Sequence, residues 1–155
     1  MTIQAPQLEH LFSYTADIEE PQQSVGPGPF GHRMIAKVTG GRVEGPRMNG
    51  KVLPGGGDWA LIEDKVTLRL DARLTIETDD GALIFASYRG IITPIDPATV
   101  VKVLSGKIES GQFYYRTTPS FETGDERYAW LNTTVCVAVG NLSAEGVSYD
   151  VFAVL

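Results

Sequence analysis

Lys65 to Thr78 reads KVTLRLDARLTIET, and this stretch decides the fold. Val66, Leu68, Leu70, Ala72, Leu74 and Ile76 take every second position, with Lys65, Thr67, Arg69, Asp71, Arg73, Thr75 and Glu77 between them. A helix would scatter the two sets around its circumference, whereas a pleated strand puts them on opposite faces. Asp79-Asp80-Gly81 supplies a hairpin turn, and Ala82 to Ile92 is the returning strand. An all-apolar row normally looks into a core. A barrel with a polar lumen and a subunit contact outside would reverse that assignment.

The same alternation recurs on either side. Leu8, His10, Phe12, Tyr14 and Ala16 form one face of an early strand, with Leu11 among the polar residues of the other. Pro21 to Gly31, PQQSVGPGPFG, is too broken for helix or strand and is expected to be a long loop. Arg33 to Val38 is a second strand; Gly40-Gly41 and Gly45-Pro46 mark turns. Pro54-Gly55-Gly56-Gly57 is a flexible stretch that runs into Asp58 and Trp59. Further strands are expected at Gln112 to Thr118, Tyr128 to Val139 and Val147 to Val154. One helix is expected after Asp96, which can cap it, with Pro97 at its first position and Gly106 at its end. The β-branching of Val100, Val101 and Val103 keeps a strand in competition there. About eight strands and one short helix make the chain all-β. The expected architecture is an antiparallel barrel, with a β-sandwich as the alternative.

A chain of 155 residues is one domain's worth, here taken as 1–155. The net charge of −6 repels phosphate backbones and argues against nucleic acid as a partner. No run of about 18 apolar residues points to a membrane, and Met1 to Glu9 lacks the basic head and apolar centre of a secretory signal. Cys136 is the single cysteine, so no internal disulfide can form, which fits a cytoplasmic protein.

Several motifs fail on inspection. Gly45 to Lys51 matches much of a phosphate-binding loop, yet Val52 replaces the hydroxyl residue and Pro54 forbids the helix that should follow. Gly26, Gly28 and Gly31 have dinucleotide-loop spacing but precede a strand. His10 and His32 are the only histidines and have no second ligand at a useful spacing, so neither a metal nor another cofactor is expected. Cys136, between Val135 and Val137, is expected to be a buried inert thiol.

What remains is polar-aromatic. Trp59 beside Asp58 can wall a ligand or plug a barrel end. Tyr128, Trp130, Asn132 and Thr134 would share a strand face, and Arg116 would share one with Tyr114 and Thr118. Such a mixture suits a pocket lining, a solvent face or a dimer face. Asp71 lies between Arg69 and Arg73, as an orienting carboxylate or as part of a solvated surface.

Gly31-His32-Arg33, Gly40-Gly41, Gly45-Pro46, Pro54 to Trp59, Asp79 to Ala82, Tyr115-Arg116-Thr117, Pro119 with Phe121, and Tyr128 to Asn132 together resemble the domain of unknown function 3237 family. The likeness spans nearly the whole chain. It implies a lipocalin- or streptavidin-like barrel, a homodimer or higher homo-oligomer, and no particular activity. It also implies pocket roles for Arg33, Asp58, Trp59, Asp71, Arg116, Trp130 and Asn132. Gly57 stands where the pattern would have alanine, and His32 has no part in it.

The resulting expectation is a small-molecule pocket protein. In the first form it is a cofactor-independent enzyme of lyase, isomerase, hydratase or cyclase type, acting on a small organic, aromatic or carbonyl-bearing substrate. Asp58 would move the proton and Arg116 or Arg33 would hold the anion. Tyr88, Trp130 and Asn132 would orient the substrate, with Trp59, Asp71 and Tyr128 lining the site. In the second form it is a non-catalytic binder of a small apolar ligand. In the third it is an assembly module acting through a subunit interface.

Overall fold

The computed structural model describes residues 2–107 and 113–155. The chain runs β1 (Leu8–Ile18), β2 (Gln23–Gly28), β3 (Gly31–Gly40), β4 (Arg42–Glu44), β5 (Gly50–Val52), β6 (Gly57–Ile62), β7 (Leu68–Thr78), β8 (Leu83–Thr93), α1 (Pro97–Leu104), β9 (Tyr114–Glu122), a 3₁₀ helix (Glu126–Thr133), β10 (Cys136–Ser143) and β11 (Gly146–Val154). Antiparallel pairing closes a ring in the order β1-β3-β6-β7-β8-β9-β10-β11 and back to β1. Three strands are extra. β2 is a hairpin partner of β3, and β4 and β5 bridge β1 to β7 where β3 leaves off. Closure removes the exposed edges that an open sheet would leave.

β7 settles its facing: Leu68, Leu70, Ala72, Leu74 and Ile76 are buried in the barrel, and Arg69, Asp71 and Arg73 point outward. The strand starts at Leu68 rather than Lys65 because Asp64 accepts from the Val66 and Thr67 N–H groups and Lys65 has a φ of 76°, which makes a turn. The hairpin at Asp79-Asp80-Gly81 forms as expected, with Gly81 at φ 91°. The helix also forms: Asp96 Oδ1 accepts from the Thr99 N–H at 2.8 Å, and Gly106 beyond its end has φ 72°.

Four expectations are corrected. The Pro/Gly stretch is the edge strand β2, where prolines are tolerated and Gly26, at φ 84°, absorbs a bulge. In β1 a bulge between His10 and Phe12 turns the faces over, so Leu8 and His10 are outside while Leu11, Phe12, Tyr14 and Ala16 are buried. Gly57, expected in a flexible stretch running into Asp58 and Trp59, instead begins the strand β6 that holds both. The expected strand from Tyr128 begins only at Cys136; Asp125 accepts from the Arg127 N–H and starts the 3₁₀ helix that takes its place. The expected strand at Gln112 starts outside the described residues; the described part begins at Tyr114.

Val100, Val103 and Leu104 of α1 are buried over one end of the barrel. At the other end Phe12 meets Phe121 edge-on at 5.5 Å, with Met48 and Leu131 in the same buried cluster. Among the described residues no helix is long and apolar enough to cross a membrane.

Candidate functional site

Among the described residues, Asp58 is the carboxylate that the barrel turns inward. Its cross-strand neighbours are Ala36 on β3 and Ala72 on β7, and Ala72 in turn pairs with Tyr88 on β8. Asp58 and Tyr88 thus occupy one row, about 10 Å apart between Cα atoms from the strand spacing. The alanine between them is small enough for both side chains to lean into the lumen. Pairing of β6 with β7 is interrupted at Trp59 and Ala60. There the Asp71 N–H donates to Asp58 Oδ1 at 2.9 Å, which holds the carboxylate.

A second row faces it. Tyr14 on β1 pairs with Tyr149 on β11, and Tyr149 pairs with Gly140 on β10. The rings of Tyr14 and Tyr149 stack at 4.7 Å, and Tyr88 meets Tyr149 edge-on at 5.3 Å. Tyr115 on β9 lies over Gly140, where an added Cβ would come within 2.7 Å of its ring. Glycine there lets Tyr115 tilt toward Tyr149, and their hydroxyls meet at 2.5 Å.

The electrostatics follow from burial. Removal from water raises the Asp58 pKa from 3.8 to about 7, against the lowering effects of the Asp71 N–H and the Arg33 charge. Burial likewise pushes the phenols of Tyr14, Tyr88, Tyr115 and Tyr149 up, so all four stay protonated. Burial raises the Cys136 thiol to about 11, which keeps it protonated and unreactive at neutral pH.

Asp58, Tyr88, Tyr115 and Tyr149 line an internal hollow of about 40 Å³, whose other walls are apolar, among them Met34 and Leu70, except for Gln22. That is room for a few waters. Val100 and Leu104 of α1 close it at one end. A carboxylic acid near its pKa and a ring of phenol donors can pass a proton and hydrogen-bond an oxygen that gains charge.

The other residues singled out in the sequence lie elsewhere. Trp59 points outward, with the Arg73 guanidinium 5.5 Å from its ring centre. Arg33, also on the outside, donates to the Trp59 carbonyl at 2.8 Å. Asp71 pairs with Arg73 at 3.5 Å on the outer surface. Arg116 is exposed; it donates to the Tyr115 carbonyl and stands 5.0 Å from the centre of the Tyr114 ring. In the 3₁₀ helix, Trp130 carries Arg47 over its ring at 4.1 Å and the Tyr128 hydroxyl donates to Asp80. Asn132 clamps the Thr123 backbone, accepting from its N–H and donating to its carbonyl. The structure therefore brings Asp58 and Tyr88 together and adds Tyr14, Tyr115 and Tyr149. A signal for Tyr14 and Tyr149 existed: each sets a hydroxyl in an otherwise apolar inward row, whereas Tyr115 shares its row with Thr117. Among the described residues no three of His, Cys, Asp and Glu gather to hold a metal.

Residues 6–154 match the family described as Protein of unknown function (DUF3237). The chain belongs to this family. A UPF0311 protein of Rhodopseudomonas palustris (strain TIE-1) is 35% identical over 154 residues, which is 97% of this chain and 99% of the relative. The crystal structure of a conserved protein of unknown function from Rhodopseudomonas palustris superposes with a TM-score of 0.87 at 33% identity, covering 99% of this chain and 100% of that one. The crystal structure of an enzyme from Penicillium herquei superposes with a TM-score of 0.76 at 23% identity, covering 100% of this chain and 98% of that one. At that identity the likeness is one of fold. Membership in the DUF3237 family accounts for the barrel and assigns no reaction.

Proposed function

We infer that the barrel interior is a small-molecule site in which Asp58 transfers a proton without a cofactor. The reactions this suits are lyase, isomerase, hydratase or cyclase steps on a small, largely apolar molecule with a carbonyl or hydroxyl group. The observation that carries this reading is the environment of Asp58. A carboxylate is held inside an apolar barrel by one backbone N–H, faces a hollow, and is poised at about pH 7. A structural role does not require such a group, since alanine or asparagine would fill the position without burying charge. A group that gives and takes a proton at neutral pH needs this poise. Tyr88, and the Tyr115–Tyr149 pair behind it, would hydrogen-bond the substrate oxygen. The hollow is too small for an organic substrate at rest, so entry would shift α1, which closes one end. That a barrel of this fold from Penicillium herquei is described as an enzyme is in keeping with chemistry in such a lumen.

The test follows proton transfer directly. The protein is incubated in heavy water with a panel of small aryl ketones, enones and keto acids, and deuterium gain next to the carbonyl is read by mass spectrometry. The wild type should label a subset, with a pH profile that bends near 7. Asp58→Asn should lower the rate about a hundredfold or more, and Tyr88→Phe should lower it less. If the wild type binds panel members and labels none, and Asp58→Asn binds them equally, the protein is a binder of small apolar ligands. The mostly apolar walls of the hollow favour that second reading.

A further inference from the structure

Outside the barrel, β7, β8 and β9 carry a groove of about 620 Å³ on the opposite face of the sheet from the Asp58 hollow, with Leu70 bordering both. Its centre is Ile91, which pairs with Arg69 on one side and Arg116 on the other. Arg89 lies two residues along β8 on the same face, so three guanidinium side chains surround one apolar residue. Tyr114 and Val137 complete the walls.

Like charges at neighbouring cross-strand positions destabilise a sheet unless something neutralises them. Glu63 pairs with Arg69 at 2.8 Å, which partly meets that need. Asp71 lies directly opposite Arg89, yet its carboxylate is 3.5 Å from Arg73. Among the described residues Arg89 and Arg116 have no carboxylate partner. Arg116 is held in place by the Tyr115 carbonyl at 2.9 Å and by the Tyr114 ring. This cationic concentration stands on a chain of net charge −6, so the local field differs in sign from the whole.

We propose that this outer groove is a second binding site, for a small arene carboxylate. Arg89 and Arg116 take the carboxylate, and Ile91, Val137 and Tyr114 take the ring. The charge calls for an anion, and guanidinium favours carboxylate through paired N–H donors. The apolar walls would be idle against an inorganic anion. The acidic remainder of the surface disfavours a nucleic acid, which needs a long basic track. The volume falls within the ordinary range of small-molecule pockets. The site is independent of the interior one, because Tyr88 and Arg89, like Tyr115 and Arg116, are adjacent in a strand and face opposite ways.

The experiment titrates the full chain with naphthoate, naphthalenemethanol and inorganic phosphate by calorimetry, with amide shifts to locate binding. Naphthoate should saturate one site, shift Ile91, Tyr114 and Val137, and weaken with added salt. Arg89→Ala and Arg116→Ala should each weaken it about tenfold or more, while Arg42→Ala changes nothing. Naphthalenemethanol and phosphate should each bind at least about tenfold more weakly than naphthoate. Equal binding of the alcohol or of phosphate overturns the proposal, as does insensitivity to both arginine substitutions or the absence of saturable binding. Shifts confined to Tyr88 and Tyr149 would mean that the probe entered the barrel, and would also overturn it. If sedimentation shows a dimer that Arg89→Ala or Arg116→Ala breaks, the groove is a subunit interface and the proposal falls.

Discussion

The two faces of β7, β8 and β9 treat charge in opposite ways. Inside, these strands present Ala72, Tyr88 and Tyr115 to one carboxylate, with every phenol neutral. Outside, the same strands present Arg69, Arg73, Arg89 and Arg116 to water. Burial makes one ionisable group expensive within; hydration makes several inexpensive without. A substitution should therefore cost or gain most where the solvent is absent.

The sharpest way to break this contrast is Asp58. Its folded pKa of about 7 exceeds the unfolded value of about 3.9, so the native state binds the proton more tightly. Its contribution to stability is full below about pH 4 and is lost as pH rises toward 7, by about 4 kcal/mol in all. Asp58→Asn keeps an acceptor for the Asp71 N–H and removes the buried charge. It should raise stability at pH 8 by about 2 kcal/mol or more, and change little at pH 4. Urea melts at both values would check this; a variant equally destabilised at both would mean the carboxylate is structural.

Next comes Gly140→Ala. The new methyl would meet the Tyr115 ring and force it off the hydroxyl of Tyr149. A loss of about 2–3 kcal/mol is expected from overpacking, with altered near-ultraviolet circular dichroism from the displaced tyrosine. Tyr149→Phe should cost less, about 1–2 kcal/mol, because it leaves the Tyr115 hydroxyl without its partner while keeping the ring stack. On the outer face Arg69→Ala removes an exposed pair with Glu63 and should shift stability by at most about 0.5 kcal/mol. Denaturant midpoints for the three would order them, and a large effect at Arg69 would contradict the contrast.

Local signals in the sequence carried the fold further than the site. The alternation of β7, the Asp-Gly turn and the Asp96-Pro97 helix start each act within a few residues, and each is found as expected. The bulge in β1 and the edge strand β2 were hidden because both depend on which strand lies alongside. The 3₁₀ helix was hidden because Asp125 outweighs the strand preference of Tyr128 and Trp130. For the site, Asp58 and Tyr88 were readable as residues, and their meeting was not, since it needs β6, β7 and β8 in register. Tyr14 and Tyr149 are brought together only by the pairing of the first and last strands. One constraint was available and decisive: neighbours in a strand face opposite ways, so Asp58 and Trp59 cannot share a cavity.

The small residues between the large ones have a consequence of their own. Ala72 separates Asp58 from Tyr88, and Gly140 separates Tyr149 from Tyr115. They act as spacers whose size sets how far the lumen can open, much as the pitch of a thread sets what screw it accepts. Relatives in which either position carries a larger side chain should have a narrower lumen while leaving Asp58 untouched.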